Sequence, residues 1–244
     1  MKIGIIGAGN IGATLARKLA AGGHKIKLAN ARGPDSIREL AREVGAAAVT
    51  REDAVKDVDA IILAIPFEKH RGLADLFSQV AESVVVIDTA NYYPFRDNAI
   101  AGVDNGKPES VWASEQTGRP LIKAWNAALA ATLADKGLPT ATPGRIALPV
   151  AGDDAWTKAV VLKLVSETGF DALDAGSLSE SWRQQPGTPA YCTELETEAL
   201  KAALLSADAV RAPKNRDALL KVFMTPGASF THEEIVARNR AMTA

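Results

Sequence analysis

Short apolar runs and amphipathic stretches alternate along this chain. Residues 3–6 make a first apolar run, and Ile11, Leu15 and Leu19 then recur four residues apart until Gly22-Gly23 breaks the pattern. The run predicts a strand and the recurrence a helix with one buried face. Ile26 and Leu28 alternate in a second strand ending at Asn30. Residues 36–43 predict a helix, 46–50 a short third strand and 53–56 a turn or short helix. Residues 58–65 are almost wholly apolar, as a strand buried on both faces requires, and Pro66 stops them. A helix is expected over 69–80 and a β-branched fifth strand over 83–88. After a loop at 92–108 come a helix at 110–117, a sixth strand at 121–125 and a helix at 127–133. A Pro/Gly-rich connection at 136–144 leads to a seventh strand at 145–151 and a helix at 153–167, capped by Asp153 or Asp154. An edge strand at 170–174 closes the series.

This order predicts an α/β protein over residues 1–176, with a doubly wound, mostly parallel sheet and helices on both faces. Beyond 176 the rhythm changes. A loop at 182–189 gives way to a mostly helical stretch at 191–210, with Leu195, Ala199, Ala203 and Ala207 on one stripe. Further helices are expected at 217–223 and 232–242. This helical C-terminal segment, 177–244, is expected to cover the core, line an acceptor pocket or join two copies into a homodimer.

The junction between the first strand and helix reads Gly7-Ala-Gly9-Asn10-Ile11-Gly12. A G-x-G-x-x-G motif set between strand and helix marks a Rossmann dinucleotide site. Gly7 allows the tight turn, Gly9 lets pyrophosphate reach the backbone, and Gly12 lets helix and strand pack closely. The free N–H groups at the helix start, Asn10 and Ile11 among them, then face the phosphate charge. An NAD site usually ends its second strand with a carboxylate for the ribose 2′-hydroxyl. Here Asn30 stands in that place, followed by Ala31-Arg32-Gly33-Pro34. Asn30 donates hydrogen bonds without repelling a 2′-phosphate, and Arg32 supplies a planar cationic fork for its oxygens. NADP(H) is therefore the expected cofactor.

Composition narrows the class. In 244 residues, 47% hydrophobic and 23% charged, the net charge is −1, which offers no electrostatic basis for nucleic-acid or membrane-surface binding. A single cysteine, Cys192, and three scattered histidines provide no metal-ligand spacing, so no metal is expected. No run reaches the roughly 20 apolar residues of a membrane span, and a cytoplasmic protein is expected.

In open α/β sheets ligands bind beyond the carboxyl ends of the strands. That rule selects Ile65 and Pro66, Asn91, and the Lys123-Ala-Trp-Asn126 segment as neighbours of the nicotinamide. Lys123 and Asn126 are the candidate catalytic or positioning residues. His70 follows the Pro66 loop and is a lesser candidate, whereas His24 precedes the second strand at the wrong end of the sheet.

Taken in order, Gly7-Ala-Gly-Asn-Ile-Gly12, Asn30-Ala-Arg-Gly-Pro34, Ala64-Ile-Pro66, Asp88-Thr-Ala-Asn91, Lys123-Ala-Trp-Asn126 and Val150-Ala-Gly-Asp-Asp154 form a specific set. The set resembles the NADP oxidoreductase family typified by NADPH-dependent 8-hydroxy-5-deazaflavin (coenzyme F420) reductases. The resemblance covers roughly residues 1–176. It implies hydride transfer between NADPH and a flavin-like ring, a deazaflavin or flavin being the second substrate. It also implies that Asn30 and Arg32 meet the 2′-phosphate, Gly7, Gly9 and Gly12 the pyrophosphate, and Ile65, Pro66, Asn91 and Asn126 the nicotinamide. Two features depart from the family. Ala31 stands where a hydroxyl residue is common, and the longer C-terminal segment offers Trp182, Gln185, Pro186, Tyr191 and Cys192 as lining for a different pocket.

Two other readings stay open at this point. A reductase of a small carbonyl or imine compound would need a proton donor near the nicotinamide, and Lys123, Tyr191 and His70 are the available groups. A non-catalytic NADP(H) sensor would bind nucleotide without transferring hydride.

Overall fold

The protein is described by a computed structural model covering residues 1–243. Six parallel strands form the main sheet: β1 (Lys2–Ile6), β2 (Lys25–Ala29), β3 (Ala46–Ala48), β4 (Ala60–Leu63), β5 (Val85–Asp88) and β6 (Ile122–Lys123). Their spatial order is β3-β2-β1-β4-β5-β6. The chain thus runs outward from β1 to β3, then returns to β4 on the other side of β1. The sheet is buried on both faces because its strands are apolar at successive positions. Ile3, Ile5, Leu28, Ile62 and Ile87 join one core layer, while Ile6, Ile61, Leu63 and Val86 join the other.

The helix α1 (Asn10–Ala21) buries Leu15 and Leu19 as its apolar spacing predicts. The expected helix at 36–43 is a 3-10 turn, Pro34–Ile37, followed by α2 (Arg38–Glu43). A short α3 (Arg51–Ala54) leads into β4. The predicted 69–80 helix is broken into a 3-10 segment, Phe67–Gly72, and the short α4 (Ala74–Phe77). The local reason is a buried ring: His70 Nδ1 lies 2.8 Å from Phe67 O, which holds the tighter turn. The 92–108 loop carries two single turns, α5 (Pro94–Asp97) and α6 (Ala101–Asp104), before α7 (Glu109–Thr117) and, beyond β6, α8 (Ala130–Asp135).

Strands β7 (Ala147–Val150) and β8 (Asp171–Asp174) depart from the expected continuous sheet. They form a separate parallel pair, linked by α9 (Ala155–Glu167) with Asp154 as its cap. Among the described residues only an antiparallel bridge joins them to β6, where Lys123 and Ala151 exchange backbone bonds of 2.8 and 3.0 Å. Pro149 leaves β7 without one N–H, which confines it to an edge.

Beyond Gly176 the chain folds back over the sheet through a 3-10 segment, Leu178–Gln184. The helix expected from 191 begins only at Thr197, as α10 (Thr197–Ser206), followed by α11 (Arg211–Phe223) and α12 (His232–Thr243). Residues Cys192 and Glu194 have φ of 56° and 51°, left-handed geometry that no helix can continue through. The buried face of α10 is therefore Leu200, Ala203 and Leu204, and Ala199 of the expected stripe is exposed. No helix among the described residues is long and apolar enough to cross a membrane.

Candidate active site

The reversal of strand order between β1 and β4 opens a crevice at the carboxyl ends of the strands. The glycine turn forms one wall, and its three glycines answer different demands. Gly7 has φ of 113°, and a Cβ there would lie 2.1 Å from Ala64 O. A Cβ on Gly12 would lie 1.9 Å from Gly7 O. A Cβ on Gly9 would meet nothing within 4 Å, so the protein's own packing leaves that side open. The N-terminus of α1 carries no side-chain cap and no acidic residue in its first turn. Its orphan N–H groups and positive dipole end are thus available to an anion.

At the end of β2 the side chain of Asn30 is used locally. Its Oδ1 accepts from Arg32 N at 3.1 Å and its Nδ2 donates to Ser36 Oγ at 2.9 Å. Asn30 therefore shapes the loop that presents Arg32 rather than holding its own donors free. The Arg32 guanidinium is exposed and has no hydrogen-bond or ion-pair partner among the described residues. With no carboxylate at Asn30, an uncapped helix start and an unpaired guanidinium, the site fits a nucleotide bearing an extra phosphate. NADP(H) bound there would supply a hydride.

The crevice continues as a cleft of about 400 Å³. Gly9, Asn10 and Ile11 line it from the glycine turn, Ile65 and Pro66 from the loop after β4, Asn91 from that after β5 and Asn126 from that after β6. The far wall is Tyr93, Arg96, Tyr191 and Cys192. The wall is tied together by polar side chains. Asn91 Nδ2 donates to Asn126 O at 3.0 Å, and Asn126 Nδ2 donates back to Asn91 Oδ1 at 3.0 Å. Gln184 Nε2 donates to Asn126 Oδ1 at 2.8 Å. The Tyr191 and Tyr93 hydroxyls are 2.7 Å apart, and Asn91 Nδ2 reaches Tyr191 Oη at 3.3 Å. Burial raises both phenol pKa values above the ordinary range, so both are neutral donors near pH 7. Burial also pushes the Cys192 thiol up to about 12, which leaves no thiolate nucleophile. The lining contains no Asp or Glu, and Arg96 is its one charged side chain.

Lys123 and His70 are corrections to the sequence reading. Both are fully buried and neither reaches the cleft. Lys123 Nζ donates to Asp88 Oδ2 at 2.8 Å and to Ala90 O, and His70 Nε2 lies 3.1 Å from Asp88 Oδ1. Burial pushes the Asp88 carboxyl up, but the Lys123 ammonium and His70 outweigh it and hold it well below the usual range. Asp88 Oδ1 also accepts from Ala90 N at 3.0 Å. The cluster therefore grips both sides of Ala90, the residue before Asn91, from beneath the cleft floor. Glu109 lies buried nearby, accepting from Tyr92 N at 3.0 Å, and burial raises its pKa to about 7 against the pull of Lys123.

Of the candidates beyond 176, Tyr191 and Cys192 line the cleft, whereas Trp182, Gln185 and Pro186 do not. Trp125 is core: its ring is buried and Nε1 donates to Thr168 Oγ1 at 3.1 Å. Sequence reasoning missed Tyr93, Arg96 and Gln184. The strand-end rule, carried a few residues past Asn91, finds the first two. Gln184 carried no signal, because a 3-10 segment far along the chain brings it in.

The family described as NADP oxidoreductase, coenzyme F420-dependent, matches residues 2–92. The protein YjhV of Escherichia coli (strain K12) is 39% identical over 105 residues, 43% of this chain and 77% of its own length. The hypothetical protein SMa0349 of Sinorhizobium meliloti superposes with a TM-score of 0.67 at 31% identity, covering 81% of this chain and 96% of its own. A structure from Arthrobacter sp. FB24, described as a candidate F420-dependent NADP reductase, superposes at 0.60 with 22% identity, covering 74% and 87%. Together with the glycine turn and the strand reversal, these matches place the chain in the NADP oxidoreductase, coenzyme F420-dependent family, as an NADP-dependent oxidoreductase on a Rossmann-like α/β fold.

Proposed function

We propose that the protein transfers a hydride between NADPH and a flavin-like acceptor such as coenzyme F420, lodged against the Tyr93–Tyr191 wall. The observation that carries this reading is the composition of the cleft. It is continuous with the nucleotide crevice, and its lining holds no carboxylate and no thiolate. Transfer between two ring cofactors needs close, fixed stacking more than a strong acid or base, because the rings carry the reactivity. The chain's own contribution is then placement. The α1 N-terminus and Arg32 hold the phosphates, while Ile65 and Pro66 back the nicotinamide. The Asn91–Asn126–Gln184 bonds fix the opposite wall, and Tyr191 with Cys192 keeps bulk water from the inner end. The family match supports a deazaflavin in particular.

Anaerobic NADPH oxidation with oxidised deazaflavin tests the reading, with NADH and free FMN as controls. Reduction of deazaflavin by NADPH alone is expected. Bound NADPH with no deazaflavin or FMN reduction overturns the acceptor class.

Self-association through the C-terminal helices belongs to the same proposal. Leu205 and Val210 are 81% and 71% exposed and Met224 is 57% exposed, large apolar groups left uncovered within one chain. Sedimentation at working concentration is expected to give a homodimer, and a monomer refutes it.

A further inference from the structure

A flavin-like acceptor leaves one feature of the cleft unused. Tyr191 and Tyr93 form a hydroxyl pair 2.7 Å apart in the lining, although their positions differ by 98 residues. A hydroxyl pair of this kind is the arrangement a general acid with a proton supply requires. Of the three donors that a carbonyl reductase could use here, Lys123 and His70 are sealed in the Asp88 cluster. Only Tyr191 opens to the cleft.

We propose that the same cleft reduces small neutral aldehydes and ketones, with Tyr191 as the catalytic acid and Tyr93 refilling it. The inference rests on the NADPH-binding part of the proposed function. The carbonyl carbon takes the hydride that NADPH supplies, and the C=O π pair moves onto the oxygen. That oxygen takes its proton from Tyr191 Oη. Tyr191 Oη is refilled from Tyr93 Oη, and the half-buried Tyr93, beside exposed Phe95 and Arg96, is refilled from water at the rim. Alcohol and NADP⁺ leave, so one hydride and one proton are consumed per carbonyl.

The site's charge selects the class further. An iminium ion arrives already protonated, needs no acid and calls for a carboxylate. The lining provides none, and its one charged group is the Arg96 cation. A neutral carbonyl oxygen needs a donor, and Tyr191 in its neutral form is one. Asn91 Nδ2, 3.3 Å from Tyr191 Oη, orients the hydroxyl without competing as an acid. Because burial makes the phenols harder to ionise than usual, both hold their protons at neutral pH.

The test uses the full chain, with NADPH affinity measured first for the wild type, Tyr191→Phe and Tyr93→Phe. Butanal and cyclohexanone are then assayed as substrates. Isobutyramide, an unreactive carbonyl analogue, is titrated by calorimetry into each protein saturated with NADPH. Loss of a positioned acid is expected to lower kcat about 100-fold in Tyr191→Phe and about tenfold in Tyr93→Phe. Isobutyramide affinity is expected to fall about tenfold in Tyr191→Phe, as loss of one donated bond implies. Should Tyr191→Phe fail to fold, Tyr93→Phe decides, and unchanged kcat there overturns the relay. Turnover within threefold of wild type in Tyr191→Phe overturns its role. Bound NADPH without turnover of either carbonyl overturns this inference and leaves the deazaflavin reading standing. Absence of NADPH binding overturns both.

Discussion

The two ends of the cleft are built by opposite means. The end proposed to take the nucleotide phosphates is mostly backbone: consecutive residues Gly7 to Gly12 set a turn, and helix α1 presents its uncapped N–H groups. The end proposed to take the acceptor is side chain: Asn91, Asn126, Gln184 and Tyr191 arrive from four separate segments and hold each other by hydrogen bonds. Beneath it the Lys123–Asp88–His70 cluster clamps the peptide before Asn91. A backbone site tolerates changes in its surroundings but not within its few residues. A side-chain site depends on partners distributed through the fold.

The sharpest way to break that contrast is Lys123→Met. Removing the ammonium leaves buried Asp88 with only His70 and Ala90 N as partners and is expected to cost about 3–5 kcal/mol. Chemical denaturation measures it. NADPH affinity in the folded fraction is expected to survive while acceptor turnover falls, because the cluster supports only the acceptor end. Equal loss at both ends refutes the division.

Glu109 sharpens the comparison through pH. Its folded pKa of about 7 lies above its ordinary value, so the folded state keeps a proton that the unfolded chain gives up. Stability contributed by that proton is therefore lost as pH rises from the ordinary carboxyl range to about 7. The effect is of order 3 kcal/mol over that span. Glu109→Gln removes the slope, so its thermal midpoint relative to wild type should climb between pH 4.5 and 7.5. Asp88 acts in the opposite sense. Its depressed folded value contributes stability above the ordinary carboxyl pKa, which acidification removes. A flat difference between Glu109→Gln and wild type contradicts the assignment.

Arg32→Ala probes the phosphate end. Loss of a charge-assisted contact is expected to weaken NADPH by about 1.5–3 kcal/mol. NADH, lacking the 2′-phosphate, should change little. Equal weakening of both nucleotides, measured by fluorescence titration, removes the role given to Arg32.

The glycines separate binding from packing within one turn. Gly12→Ala puts a Cβ against Gly7 O and is expected to lower stability by about 1–3 kcal/mol. The Cβ of Gly9→Val meets nothing within 4 Å in the protein, so its thermal midpoint should stay near wild type while NADPH affinity falls. Unchanged NADPH affinity in Gly9→Val would place the pyrophosphate elsewhere.

Most of the strand and helix order was legible in the sequence, as was the glycine turn between β1 and α1. Apolar rhythm reports burial, and a strand–glycine–helix junction reports a backbone conformation set by consecutive residues. The rest of the cleft was legible only as a set of strand-end loops. Ile65, Pro66, Asn91 and Asn126 fall in the cleft, as the carboxyl-end rule selects. Lys123 obeys the same rule yet points into the core, because alternation along β6 decides its face and Asp88 compensates its charge there.

What the sequence determined by itself is the alternating α/β order, the glycine turn and the missing carboxylate at Asn30. Each is written in residues that are neighbours along the chain. Only the tertiary structure decided that β7 and β8 stand apart as a bridged pair, that Lys123 and His70 are sealed, and that Asn91 meets Tyr191 from 100 residues away. Whether a polar side chain faces ligand or core depends on which distant groups satisfy its charge and hydrogen bonds, and no local pattern records those partners.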